Sequence, residues 1–210
     1  DTIGHGTAVY YLIRKFTKNI CNKIEIINIQ IFKHDICAID QYAFEKILDY
    51  ICSNCKYDII NFSLGVVQCS NVEKMQNCIN KLHNQGTIIV AAFDNGGAMS
   101  FPAALNNVIG VDSIDRKENN SHDLIGIENS PINITIGTSN FKVAWTSPPY
   151  CIVRGSSFSC CIVTARIASQ LVIDGKFNFN NLCHMLVHRK EPINHYIPSY
   201  IGKYAVFPIS

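Results

Sequence analysis

An imidazole, a carboxamide and a group of hydroxyls stand at points in this 210-residue sequence where one ordered segment stops or another starts. His5 lies in Gly4-His5-Gly6-Thr7, a turn that leads directly into the apolar run "AVYYLIRKF" and so into a helix. Its imidazole can exchange a proton near neutral pH, or can serve as an ordinary cap. Asn61-Phe62-Ser63-Leu64-Gly65 ends an apolar run in small residues; an exposed edge of that kind can pair with an extended peptide, or can be a plain strand end. Asn95 follows "AAFD" and precedes two glycines, so it is either a turn residue or an amide donor on a loop that a ligand can approach closely. Ser157, in Gly155-Ser156-Ser157-Phe158-Ser159, opens a long apolar stretch. A serine there caps a helix, or acts as a nucleophile whose oxyanion product sits at the positive helix end. Taken singly, the structural reading of each stretch is the simpler one.

The elements that must position these groups read as an alternation. Helices are expected over 5–16, 39–53, 71–84 and 157–173, with a shorter one near 179–189. In the second, Ile39, Tyr42, Ala43, Phe44, Ile47, Leu48 and Ile51 share a face. Strands are expected over 25–32 ("EIINIQIF"), 57–63, 87–92 and 107–112. From 116 the pattern loosens into a loop and short strands, and the chain ends in a tail punctuated by prolines. Strand and helix alternating with short links imply parallel βαβ units, hence an α/β fold of three layers: a mainly parallel twisted sheet with helices on both faces. Reactive groups in such a sheet gather at the C-terminal ends of the strands. One domain over 1–210 is the expected organisation.

Composition narrows the function classes. Apolar residues make up 48% of the chain and charged ones 16%, which is the composition of a globular protein. A formal charge of +2, with Lys and Arg scattered, makes no case for nucleic acid. No uninterrupted apolar run reaches the ~18 residues that span a bilayer, so no membrane span is expected. Ten cysteines in a chain able to form its own core favour reduced thiols and a cytoplasmic location, with secretion as the alternative. Cys160 and Cys161 read as small buried residues. Cys52-x-x-Cys55 lacks a second pair at zinc spacing, and neither the cysteines nor the histidines are expected to hold a metal.

Together and in this order, the four stretches resemble the subtilisin-like serine proteases (the subtilase family). The likeness covers about residues 1–173; "SFPAALNNVIGVDSID" and "FNFNNLCHMLVHR" resemble further family segments. The resemblance implies a serine endopeptidase acting on a peptide or protein substrate as a monomer, without a cofactor; calcium, frequent in the family, is not indicated by any oxygen-rich loop. It implies that Ser157 is the nucleophile, His5 its base, and Asn95 a donor to the oxyanion beside the Ser157 N–H. Ser63, Leu64 and Gly65 are implied to line the pocket for the residue before the scissile bond. The family's acid precedes its histidine on an upstream strand. Asp1 is too local to be that acid, so the 210 residues are expected to be a piece whose sheet lacks its first strand or strands.

Several positions depart from the family's pattern: Ser156 for threonine, Cys161 for proline, Phe93-Asp94 for a small pair beside Asn95, and Tyr10-Tyr11 for small residues on the histidine helix. The last two carry the alternative reading, an inactive fold of this type kept as a peptide-binding or regulatory module. His5 and Asn95 point away from the related sedolisins, which have Glu and Asp at those places. A histidine-aspartate-serine order recruiting Asp58 or Asp112 needs a two-barrel architecture, contrary to the alternation of strands and helices.

Overall fold

The computed structural model of the chain describes residues 4–31, 41–54, 56–96, 98–114, 124–127, 130–137, 140–175 and 189–191. Helices α1 (His5–Phe16), α2 (Gln41–Asn54), α3 (Val72–Asn84) and α4 (Ser156–Asp174) match the four expected ones to within two residues at either end, save for residues 39 and 40, which lie outside the described set. The expected helix near 179–189 and the tail also lie outside the described residues, apart from Arg189 to Glu191.

The strands are β1 (Ile59–Phe62), β2 (Ile88–Ala92), β3 (Val108–Ile114), β4 (Leu124–Ile127), β5 (Ser130–Gly137), β6 (Phe141–Ala144), β7 (Tyr150–Val153) and β8 (Arg189–Glu191). Six of them form one sheet in the order β1-β2-β3-β5-β4-β8. Pairs β1–β2, β2–β3, β3–β5 and β4–β8 are parallel, and only β4–β5 is antiparallel. Between β5 and α4, the strands β6 and β7 make a separate antiparallel hairpin.

The period of two along β2 divides the interior into two cores, because successive strand side chains point to opposite faces. Ile88, Val90 and Ala92 pack with Ala8, Leu12 and Ile13 of α1 and with Cys160 to Val163 of α4. Ile89 and Ala91 pack with Phe44, Leu48 and Ile51 of α2 and with Met75, Ile79 and Leu82 of α3. The result is a three-layer sandwich, with α1 and α4 on one face and α2 and α3 on the other. Tyr42 departs from the expected inward face of α2 and is 70% exposed. Helix α4 has the length and apolarity of a membrane span; its residues from Phe158 to Ala165 are instead buried in the protein, and Cys160 and Cys161 are fully so.

The expected strand over 25–32 is not formed. Residues 24–31 are described without strand pairing, and Ile27 and Ile29 face solvent. The physical reason is separation: among the described residues β1 is the last strand on that side, and a cleft lies between its edge and the 24–31 segment. Branched side chains favour a strand only where a partner strand takes up the backbone hydrogen bonds.

Candidate active site

Two helix N-termini meet beside the end of β1. Helix α1 starts at Gly4, whose φ of 95° suits glycine, and a Cβ there would lie 2.5 Å from the Trp145 ring. This close approach seats His5 at the first position of α1. Its ring lies against Phe158, with centroids 5.2 Å apart. Burial lowers the pKa of His5, so the imidazole stays neutral at pH 7 and can accept a proton. Among the described residues no carboxylate is hydrogen-bonded to it.

Helix α4 starts at Gly155, with φ 120° and ψ 170°. A side chain at this glycine would collide with Asn95, whose Oδ1 lies 2.9 Å from the position a Cβ would take. That Oδ1 accepts the Ser156 N–H at 2.9 Å and the Ser156 hydroxyl at 3.1 Å. The one proton of the Ser156 hydroxyl is shared between that Oδ1 and the nearer Phe93 carbonyl. The serine before Ser157 is thus a buried structural anchor, which explains why a hydroxyl residue stands there. With Oδ1 occupied, the Asn95 amide N–H donates to no described residue. Asn95 is therefore tied to the start of α4 through the neighbour of Ser157.

Ser157 and Ser63 are bonded reciprocally. The Ser157 hydroxyl donates to the Ser63 carbonyl at 3.2 Å, and the Ser63 hydroxyl donates to the Ser157 carbonyl at 2.8 Å. Behind them, Asn61 donates to the Ser63 hydroxyl at 2.9 Å and accepts from Thr164 at 2.8 Å. A polar chain therefore runs from the middle of α4 through the end of β1 to the first turn of α4. Sequence reasoning did not identify Asn61 and Thr164 as a linked pair, nor Trp145 and Phe158 as the walls around His5. No local signal marks them, because their partners are all more than a hundred residues away in the chain.

His5, Ser157, Ser63, Leu64, Gly65 and Trp145 line one cleft of ≈ 1690 Å³, which continues along the free edge of β1 to residues 24–31. Asn95 is not among its lining residues. The cleft wall at 64–66 is held by paired hydrogen bonds of 2.9 Å between Val66 and Phe101. The carboxylate of Asp94, next to Asn95, accepts the Gly96 N–H at 2.7 Å and the Ala98 N–H at 3.4 Å, so it is spent on shaping its own loop. Tyr10, on the histidine helix, accepts a hydrogen bond from Arg14 at 3.1 Å. No group of three or more metal-ligating side chains occurs among the described residues. His184 and His188 stand four positions apart in sequence, a spacing that metal-binding pairs use; both lie outside the described residues.

The family model described as "Subtilase family" matches residues 4–191. The minor extracellular protease Epr of Bacillus subtilis (strain 168) is 29% identical over 126 residues, which are 56% of this chain and 19% of that protein. The chain thus spans about a fifth of the curated relative it matches. Among solved structures, a cold adapted subtilisin-like serine proteinase aligns with a TM-score of 0.68 at 20% identity, over 89% of this chain and 67% of that one. The S218A mutant of the protease domain of PatA aligns at 0.58 and 20% identity, over 81% and 65% of the two chains. The prenylagaramide maturation protease PagA aligns at 0.56 and 18% identity, over 73% and 59%. At these identities the likeness speaks for the fold.

Proposed function

Because this chain belongs to the subtilase family, we propose that it supplies the base, nucleophile and oxyanion donor of a serine endopeptidase. The reading rests on one observation above the others: His5 and Ser157, 152 positions apart in sequence, open two helices that flank a single cleft. In this reading an extended peptide lies along Ser63, Leu64 and Gly65. The Ser157 hydroxyl turns from the Ser63 carbonyl toward His5, gives up its proton and attacks the scissile carbonyl. His5 returns that proton to the leaving amine. The oxyanion forms beside the positive end of α4, where the Asn95 amide and the Ser157 N–H donate to it. A side-chain donor of that kind is worth about 2.7–4 kcal/mol in the transition state.

The acid that orients His5 is proposed to come from a strand beyond these 210 residues, received in the cleft between the free edge of β1 and residues 24–31. Among the described residues no strand pairs with the outer edge of β1 or with residues 24–31, which line the two sides of that cleft; this supports a strand as its occupant. A protein carrying the upstream segment then hydrolyses peptides far faster than residues 1–210 alone, and equal turnover by the two would overturn an upstream origin for the acid.

A second reading, an inactive peptide-binding module, is favoured by the Ser157 hydroxyl bonding to Ser63 rather than to His5. A fluorophosphonate probe separates the two, since it labels a serine only when its surroundings make it nucleophilic. The protease reading expects labelling at Ser157 in the protein with its upstream segment, abolished by Ser157→Ala and by His5→Ala. Absence of labelling, together with peptide binding that perturbs residues 61–65, speaks for the module.

A further inference from the structure

On the far side of the sheet from His5, α2 and α3 pack against each other with two cysteines at their contact. Cys52 is buried, and its thiol lies 3.6 Å from the Cys78 carbonyl, within hydrogen-bond range. The Cys78 thiol lies 3.8 Å from a carboxylate oxygen of Asp49, one turn before Cys52 on α2. Both are free, and both line an open cavity of ≈ 420 Å³ with Asp49, Lys74 and Lys81. None of these groups lines the cleft that holds His5 and Ser157, so a role for the pair is independent of the proteolytic reading.

We propose that Cys52 and Cys78 are a covalent modification site: a thiol pair that closes to a disulfide between α2 and α3 by exchange with a low-molecular-weight disulfide of the glutathione type. The more exposed Cys78 reacts first. Its thiolate attacks one sulfur of glutathione disulfide, forming a mixed disulfide and releasing one glutathione thiolate. The Cys52 thiolate then attacks the Cys78 sulfur, breaking the mixed disulfide and releasing the second glutathione. The protein loses two electrons and two protons, and glutathione disulfide gains both. The open cavity exposes both thiols to the reagent, and the contact of the Cys52 thiol with the Cys78 carbonyl keeps the second thiol beside the first.

Burial, with the neighbouring Cys78 second to it, pushes the Cys52 thiol up to about 11; burial and then Asp49 also raise Cys78. The small thiolate fraction makes exchange slow at neutral pH. The bond ties residues 26 apart in the chain and fixes the two helices that bracket β1, the strand leading to Ser63.

The test maps disulfides in the protein equilibrated with oxidised or reduced glutathione. Trypsin cuts after Lys46, Lys56, Lys74 and Lys81, isolating Cys52 with Cys55 in one peptide and Cys78 in another. The oxidised sample is expected to show these two peptides linked, with fragmentation placing the bond on Cys52 rather than Cys55. The link disappears on reduction and in Cys78→Ser. Oxidation is also expected to raise the thermal midpoint of the wild type by about 5–10 °C and to leave that of Cys78→Ser unchanged. The mapping alone decides if the variant does not fold. No link, a link through Cys55, or a persistent glutathione adduct on Cys78 would each overturn the proposal.

Discussion

At the residue scale, the site depends on a hydroxyl and an amide whose work is to hold other groups. Ser63 accepts the Ser157 hydroxyl on its carbonyl and returns a hydrogen bond from its own side chain, so strand end and helix start move together. Asn61 satisfies Ser63 with its N–H and Thr164 with its carbonyl. Replacing Asn61 with Ala leaves the Thr164 hydroxyl without its acceptor and takes the amide donor from the Ser63 hydroxyl, which keeps its bond to the Ser157 carbonyl. A loss of about 1–3 kcal/mol of stability is expected, measured as a lower urea midpoint, and Asn61→Asp should recover only the Thr164 bond. The placing of His5 and Ser157 at helix starts was legible in sequence, because a glycine beside a polar residue before an apolar run is a local signal. Asn61 and Thr164 were not, since each is an unremarkable residue until the other is opposite it.

At the scale of elements, β2 shows how the sequence encodes burial. Every residue from Ile88 to Ala92 is buried, because helices cover both faces of the sheet. Residues 25–31, "EIINIQI", have similar branched residues yet stay outside the sheet, with Ile27 58% exposed. Strand propensity reports only that a segment suits a pleated surface; the neighbour that completes it is a tertiary matter. Ile89→Ala is therefore expected to cost about 2–5 kcal/mol, whereas Ile27→Ala should change stability by no more than about 0.5 kcal/mol. Chemical denaturation of the pair checks this. A large loss at Ile27 would mean that residues 24–31 belong to the core after all.

Over the whole molecule, one buried carboxylate makes stability depend on pH. Asp112, on β3, has its pKa raised from 3.8 to about 6, chiefly by burial, with the Asp94 charge adding and the Ser113 N–H opposing. The folded protein thus holds this proton more tightly than the unfolded chain. Its contribution is fully present below about pH 4 and is lost as pH rises through about 6. A shift of this size corresponds to roughly 3 kcal/mol. Wild type should lose that much between pH 4 and pH 8 relative to Asp112→Asn, which keeps a neutral side chain throughout. Equal pH profiles of the urea midpoint in both proteins would show Asp112 to be ionised in the fold without cost.

The sequence by itself determined the layering and the order of chemical groups. Apolar periodicity of 3.6 and of 2 fixes which segments can be buried helices and strands, and glycine marks where a helix can start beside another chain segment. Only the tertiary structure decided which strand edge is left open, that Tyr42 and Ile27 face water, and that Asp94 spends its charge on its own loop. It also decided that Ser157 is held by Ser63, and that Cys52 meets Cys78. These are contacts between residues far apart in the chain, made when two cores close on opposite faces of one sheet, and a local pattern carries no record of them.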